Sequence, residues 1–232
     1  MKRTFTIAGI TVLLAACSQA CAVTPPTAPP HVARGGRSVH VIYLHGNIVQ
    51  QHGKSAVSPQ FGPYLFDDIV RELGRSGAHV HAPIRTGEPS NEESAGQVAD
   101  FVRGLLEAGV PADDIVIVGA SQGSIIAMLA SASLEHAQLR FVLMGACNAW
   151  VRDEVRPDLH GHILSIYEQG DPYGGSCESI VEGRTGVSSF EELRLDTGLS
   201  HGFLYRPLSE WIDPALRWSG GTTAPSGNQS AG

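Results

Sequence analysis

The chain has no run of lysine and arginine, and it has no apolar stretch long enough to cross a bilayer, which takes about 20 residues. Lys+Arg total 16 against 23 Asp+Glu, a formal charge of −7. With no basic patch or stripe, nucleic acid is excluded as a partner. Cysteine is scarce, at 4 residues. Metal-ligand spacing is also missing. His79 and His81 share one face of a strand, and His160 and His162 repeat the pattern, but neither pair has a third ligand at a readable distance. No internal repeat occurs, and neither a metal nor a cofactor is expected.

What is present is ordinary for a globular domain: 42% hydrophobic and 17% charged residues. The first residues read as an export signal. Lys2 and Arg3 form a positive n-region, and Thr4 to Leu14 an apolar h-region. Leu14-Ala15-Ala16-Cys17 resembles a bacterial lipobox, which implies cleavage after residue 16 and a lipid on Cys17. The same resemblance implies, from Ser18 in the next position, delivery to an outer membrane facing the periplasm. A plain secretory cut after Ala20-Cys21-Ala22, giving a soluble exported protein, is the alternative. Either cut removes Lys2 and Arg3, leaving 14 basic against 23 acidic residues and a charge of −9. Residues 17–37, rich in Pro, Ala, Thr and Gly, read as a tether, and 219–232 as a tail without periodicity.

Between them, residues 38–218 alternate strand and helix patterns. Strands are expected at Val39–Leu44, His79–Pro83, Ile115–Val118, Leu139–Met144 and His162–Tyr167, with a short sixth at Leu193–Leu195. Leu65, Ile69 and Leu73 repeat at helical spacing, and so do Ala95, Val98, Phe101, Val102, Leu105 and Leu106. Ser90-x-x-Glu93 is a capping box for the second of these helices. A last helix runs from about Leu208 to Trp218, with Pro214 the point where it could break. Such alternation predicts a single α/β domain whose mostly parallel sheet is flanked by helices.

Gly119-Ala120-Ser121-Gln122-Gly123 lies where the β-branched run Ile115–Val118 meets the apolar helix pattern of Ile125 to Leu129. A strand entering a helix through G-x-S-x-G is the context of a nucleophile elbow, in which small neighbours let Ser121 project from the turn. The Gln122 amide then lies at a helix start, where unsatisfied N–H groups can meet an oxyanion. His45, Ser121 and Asp171 all fall just past strand ends, where sites form in open α/β sheets.

With Tyr43-Leu44-His45-Gly46, Gly170-Asp171-Pro172 and Leu199-Ser200-His201-Gly202, the elbow makes the chain from Val39 to Trp218 resemble the α/β-hydrolase superfamily, in particular its small bacterial members. The resemblance implies a nucleophile, acid and base in that chain order: Ser121, Asp171 and His201, the last being the only histidine after Asp171. Glu168, nearer the strand end, competes with Asp171 for the acid role. The oxyanion hole would be Gln122 with Asn47 or Ile48, because only one glycine follows His45. His45 itself is expected to pack or hydrogen-bond beneath that loop.

The expected chemistry is hydrolysis of small or exposed carboxylic esters, or thioesters, through an acyl-enzyme. The same triad also serves amidases and peptidases. An envelope-anchored scaffold that binds without catalysis is the other class of reading. Ala146 to Gly161 is loop-sized, so no cap domain is expected. The segment Gln50 to Pro63, the loop Arg85 to Asn91 and Trp150 should border an open cleft. Cys147 and Cys177 follow neighbouring strands, and in an oxidising compartment they are expected to pair and brace the acid loop.

Overall fold

The computed structural model describes residues 38–219. The signal, Cys17 and tether, and the tail beyond Ser219, lie outside them. The chain runs β1 (His40–Leu44), α1 (Asn47–His52), β2 (Val57–Ser58), β3 (Gly62–Pro63), α2 (Phe66–Leu73), β4 (His79–His81) and α3 (Asn91–Glu107). It continues through β5 (Ile115–Ala120), α4 (Gln122–Leu134), β6 (Arg140–Met144), β7 (Gly161–Glu168), α5 (Glu178–Val181), β8 (Val187–Leu195) and α6 (Ser209–Ser219). Six strands form a wholly parallel sheet in the order β4-β1-β5-β6-β7-β8. β2 and β3 form a separate antiparallel hairpin.

A parallel sheet must be covered on both faces, so its central strands are apolar along their whole length. Every residue of β5 and β6 is buried. Side chains alternate between two cores. Val116, Val118 and Val142 pack with Phe66, Ile69, Trp211 and Trp218 of α2 and α6. Ile115, Ile117 and Phe141 pack with Val98, Val102, Ile126 and Met128 of α3 and α4. The strand order reverses between β1 and β5, and Leu44 pairs with Gly119. Crevices form at such switch points, and this one sets His45-Gly46 beside Ser121.

Local chemistry explains the helix boundaries. In the α3 capping box, the Glu93 amide donates to Ser90 Oγ at 3.1 Å and the Ser90 amide to Glu93 Oε2 at 2.8 Å. α6 continues unbroken through Pro214 and one residue further than expected, into Ser219. Burial of Trp211, Ile212, Ala215 and Trp218 offsets a proline penalty of about 3 kcal/mol. β8 is nine residues rather than three. As an edge strand it is only half buried, so Ser188, Ser189, Glu191 and Glu192 dilute its apolar pattern. α1 and the β2–β3 hairpin, too short to show a period, were not legible in the sequence.

The other edge carries stacked histidines. The His40 ring lies 5.0 Å from His79 and 5.3 Å from His81, and His40 Nδ1 is 3.0 Å from His81 Nε2. Burial, with the neighbouring rings of His81 and His79, holds His40 down to about 4. Burial, with the Arg85 charge, does the same to His45. His81 is also lowered, mainly by burial. A histidine whose folded pKa lies below its unfolded value leaves the unfolded chain binding more protons. Its stability is therefore complete above about 6.5 and is lost as pH falls towards 4. The urea midpoint should drop between pH 6.5 and pH 4, and His40→Asn should flatten that slope. A midpoint that is constant across this window would contradict the assignment.

Candidate active site

Ser121 sits between β5 and α4 with φ 54° and ψ −119°, left-handed for a residue with a Cβ. The turn is held because the Ser121 amide donates to Met144 O at 2.8 Å. Gly119 and Gly123 make it possible. A Cβ on Gly119 would lie 2.5 Å from Ser124 Cα, and one on Gly123 would overlap the Leu44 carbonyl. Side chains at either position would push α4 off the sheet.

Ser121 Oγ is 3.0 Å from His201 Nε2, and His201 Nδ1 is 2.7 Å from Asp171 Oδ2. Asp171 has no exposed side-chain surface, and its Oδ1 accepts the Tyr173 amide at 2.8 Å. A carboxylate at Nδ1 keeps the proton there, so Nε2 has a lone pair for the serine hydroxyl. The three residues come from three separate strand ends, after β5, after β7 and after β8. His201 is the second residue of a 3₁₀ turn over Ser200–Tyr205.

Glu168 does not reach His201. It is buried, and it accepts from the Thr197 amide and hydroxyl at 3.0 Å and from the Gly198 amide at 3.1 Å. The carboxylate thus anchors the loop that delivers the histidine. Ser200 Oγ donates to Gly170 O at 2.9 Å, tying that loop to the acid loop. Cys147 and Cys177 are bonded, with Cα atoms 5.1 Å apart. The bridge closes 30 residues and constrains the unfolded chain by about 3–4 kcal/mol on loop entropy. Beside it, Asn148 Nδ2 donates to Tyr173 O at 2.8 Å.

Asn47 and Ile48 open α1 and line the cavity above Ser121, while Gln122 opens α4. First-turn amides of a helix have no partner within it. The Gln122 side chain is engaged elsewhere, its Nε2 donating to Asn91 Oδ1 at 3.2 Å. His45 is fully buried behind the turn. Its Nε2 accepts the Arg85 amide at 3.0 Å and its Nδ1 donates to Gly46 O at 2.9 Å, so it is a neutral prop. The Arg85 guanidinium donates to His45 O and Gln50 Oε1. Burial lowers its pKa to about 10, which leaves it charged at neutral pH.

The cleft border is only partly as expected. Gln51 and Phe61 line the cavity, but Arg85 is buried against His45 and Trp150 does not line it. Tyr64, Tyr173, Leu204 and Tyr205 are lining residues with no sequence signal of their own. Among the described residues, no group of three or more His, Cys, Asp or Glu is placed to hold a metal, and no helix is long and apolar enough to cross a membrane.

A six-stranded parallel sheet with a serine on the strand–helix turn at its switch point is the α/β-hydrolase fold, and the protein is an enzyme of the serine-hydrolase class. More narrowly, residues 79–173 match the family model described as Phospholipase/Carboxylesterase, from β4 through the elbow to Asp171 and Tyr173. Among solved structures, the chain is similar to one from work on LipS and LipT, two metagenome-derived lipolytic enzymes. That likeness has 14% identity and a TM-score of 0.52, and covers 82% of this chain and 96% of the other. SOBER1 of Arabidopsis thaliana is similar at 10% identity and a TM-score of 0.51, over 79% and 98% of the chains. RedJ, a thioesterase of Streptomyces coelicolor, is similar at 13% identity and a TM-score of 0.50, over 84% and 97%. At these identities the likeness concerns the fold. No curated protein matches the chain.

Proposed function

We propose that the protein hydrolyses carboxylic esters through an acyl-enzyme on Ser121, with His201 as general base and Asp171 as orienting acid. The observation that carries this reading is the unbroken Ser121–His201–Asp171 chain of contacts, at 3.0 and 2.7 Å. His201 Nε2 takes the Ser121 proton as Oγ bonds to the carbonyl carbon. The oxygen becomes negative and meets the amides of Gln122 and of Asn47 or Ile48, preorganised donors that stabilise charge only as it forms. The imidazolium then protonates the leaving oxygen, or the sulfur of a thioester, and the C–O or C–S bond breaks. Water repeats the sequence: His201 takes its proton, and the carboxylic acid leaves as the proton returns to Ser121.

The proposed setting is the cell envelope, with Cys17 lipid-modified and the domain tethered beyond the membrane. The Cys147–Cys177 bond supports an oxidising compartment. The test is labelling with a fluorophosphonate probe followed by peptide mapping. A single label on Ser121, absent from Ser121→Ala, is expected. Folded wild type that resists labelling would favour the non-catalytic scaffold.

A further inference from the structure

The cavity over Ser121 has a volume of about 270 Å³ and opens to solvent. At about 30 Å³ for each water-sized group, that is room for roughly nine non-hydrogen atoms, including the ester carbonyl. Its lining has no Asp, Glu, Lys or Arg, so a charged acyl group would be buried without a partner. The walls are unequal. On one side, Tyr64, Leu204 and Tyr205 are buried, while at the rim Gln51 and Tyr173 are exposed.

The buried side is built to stay closed. Tyr64 Oη is 2.5 Å from Tyr43 Oη, and Tyr43 has no exposed surface, so the phenol cannot swing away without stranding a buried hydroxyl. The Tyr64 ring lies 4.9 Å from Tyr205, Tyr205 lies 5.5 Å from Phe61, and Phe61 lies 6.0 Å from His201. A continuous aromatic wall therefore runs from the floor to the base. Phe61 sits at the turn of the β2–β3 hairpin, where Ser58 Oγ accepts the amides of Gln60 at 3.2 Å and Phe61 at 3.1 Å. Behind the ring is Gly202, where a Cβ would come within 3.2 Å of it. The ring is thus held from both sides.

We propose that Phe61 sets the acyl-chain limit of this enzyme, restricting it to uncharged acyl groups of about two to six carbons seated against the Phe61–Tyr205–Tyr64 wall. The leaving group departs over the Gln51–Tyr173 rim. The inference rests on the acyl-enzyme reading. Acyl rather than alcohol occupies the enclosed side because the acyl group stays bonded to Ser121 while water attacks, and water enters from the rim. Replacing phenylalanine by alanine removes six ring carbons and opens space for a chain of comparable length.

The experiment is kcat/KM for p-nitrophenyl esters from acetate to decanoate, and for acetates of alcohols of rising length. Wild type, Phe61→Ala and Phe61→Trp are compared, each normalised to its fluorophosphonate-labelled fraction. Wild type should peak at acetate to butyrate and fall by about tenfold or more at octanoate. Phe61→Ala should raise the octanoate-to-acetate ratio by about tenfold, while Phe61→Trp should lower butyrate relative to acetate. The alcohol series should keep its ratios in all three. An unchanged acyl ratio in labelled, active Phe61→Ala overturns the proposal alone, as does a change confined to the alcohol series. Wild type that neither labels nor hydrolyses any ester overturns the acyl-enzyme reading beneath it.

Discussion

Ser121→Ala is expected to lower kcat for ester hydrolysis by about 10⁶, and His201→Ala by a similar factor. The double variant should be no worse than either single one. Members of a nucleophile–base pair act as a unit: the hydroxyl is a poor nucleophile without Nε2, and Nε2 has no proton to take without the hydroxyl. The 3.0 Å contact between them is what makes the effects non-additive. Both variants should stay folded, since alanine at 121 relieves rather than adds crowding at the elbow and His201 is at the cavity wall. Stopped assays with short-chain esters, alongside thermal unfolding, would read both expectations. Retention of more than about one hundredth of the wild-type kcat in folded Ser121→Ala would remove it as nucleophile.

The second large effect separates the two carboxylates near His201. Asp171→Asn should lower kcat by about 10⁴ with little change in stability. An amide that turns its NH₂ towards Nδ1 drives the imidazole proton to Nε2, and the base can no longer accept from Ser121. The substitution keeps shape and volume, so it removes the tautomer and the charge but not the packing. Glu168→Gln should show the opposite balance. Its carboxylate accepts three donors from Thr197 and Gly198, and an amide can accept through only one of its two ends. Unfolding should become easier by about 1–3 kcal/mol, with kcat falling far less than in Asp171→Asn. Measuring kcat and the urea midpoint on both variants decides the matter. A larger kcat loss in Glu168→Gln than in Asp171→Asn would reverse the acid assignment.

These carboxylates also show what could be read before folding. Asp171 and Glu168 are three residues apart at the end of one strand, and nothing local says which turns towards His201. Backbone geometry after β7 decides it. Glu168, still in the strand, is held inward by the 197–198 amides, while Asp171, past the turn, reaches Nδ1. Similarly, the sequence leaves the amide proposed as the second oxyanion donor as a pair of alternatives, Asn47 or Ile48. The brief helix α1, invisible to periodicity because it has less than two turns, places both Asn47 and Ile48 in its first turn.

The sequence by itself determined the α/β alternation, the strand–elbow–helix at Ser121, the chain order of the three site residues and the cysteine pair after β6 and β7. All of these are written in local signals: β-branched runs, helical spacing, glycines that a tight turn requires, and loop positions that follow strand ends. Only the tertiary structure decided which strands are neighbours, that β8 is nine residues long, that Arg85 is buried behind the turn, and that Phe61 lines the cavity. The reason is that these depend on partners far along the chain. Phe61 lies against His201 and Tyr205, 140 and 144 residues away, and a half-buried edge strand or a six-residue helix is stabilised by what it touches rather than by its own pattern.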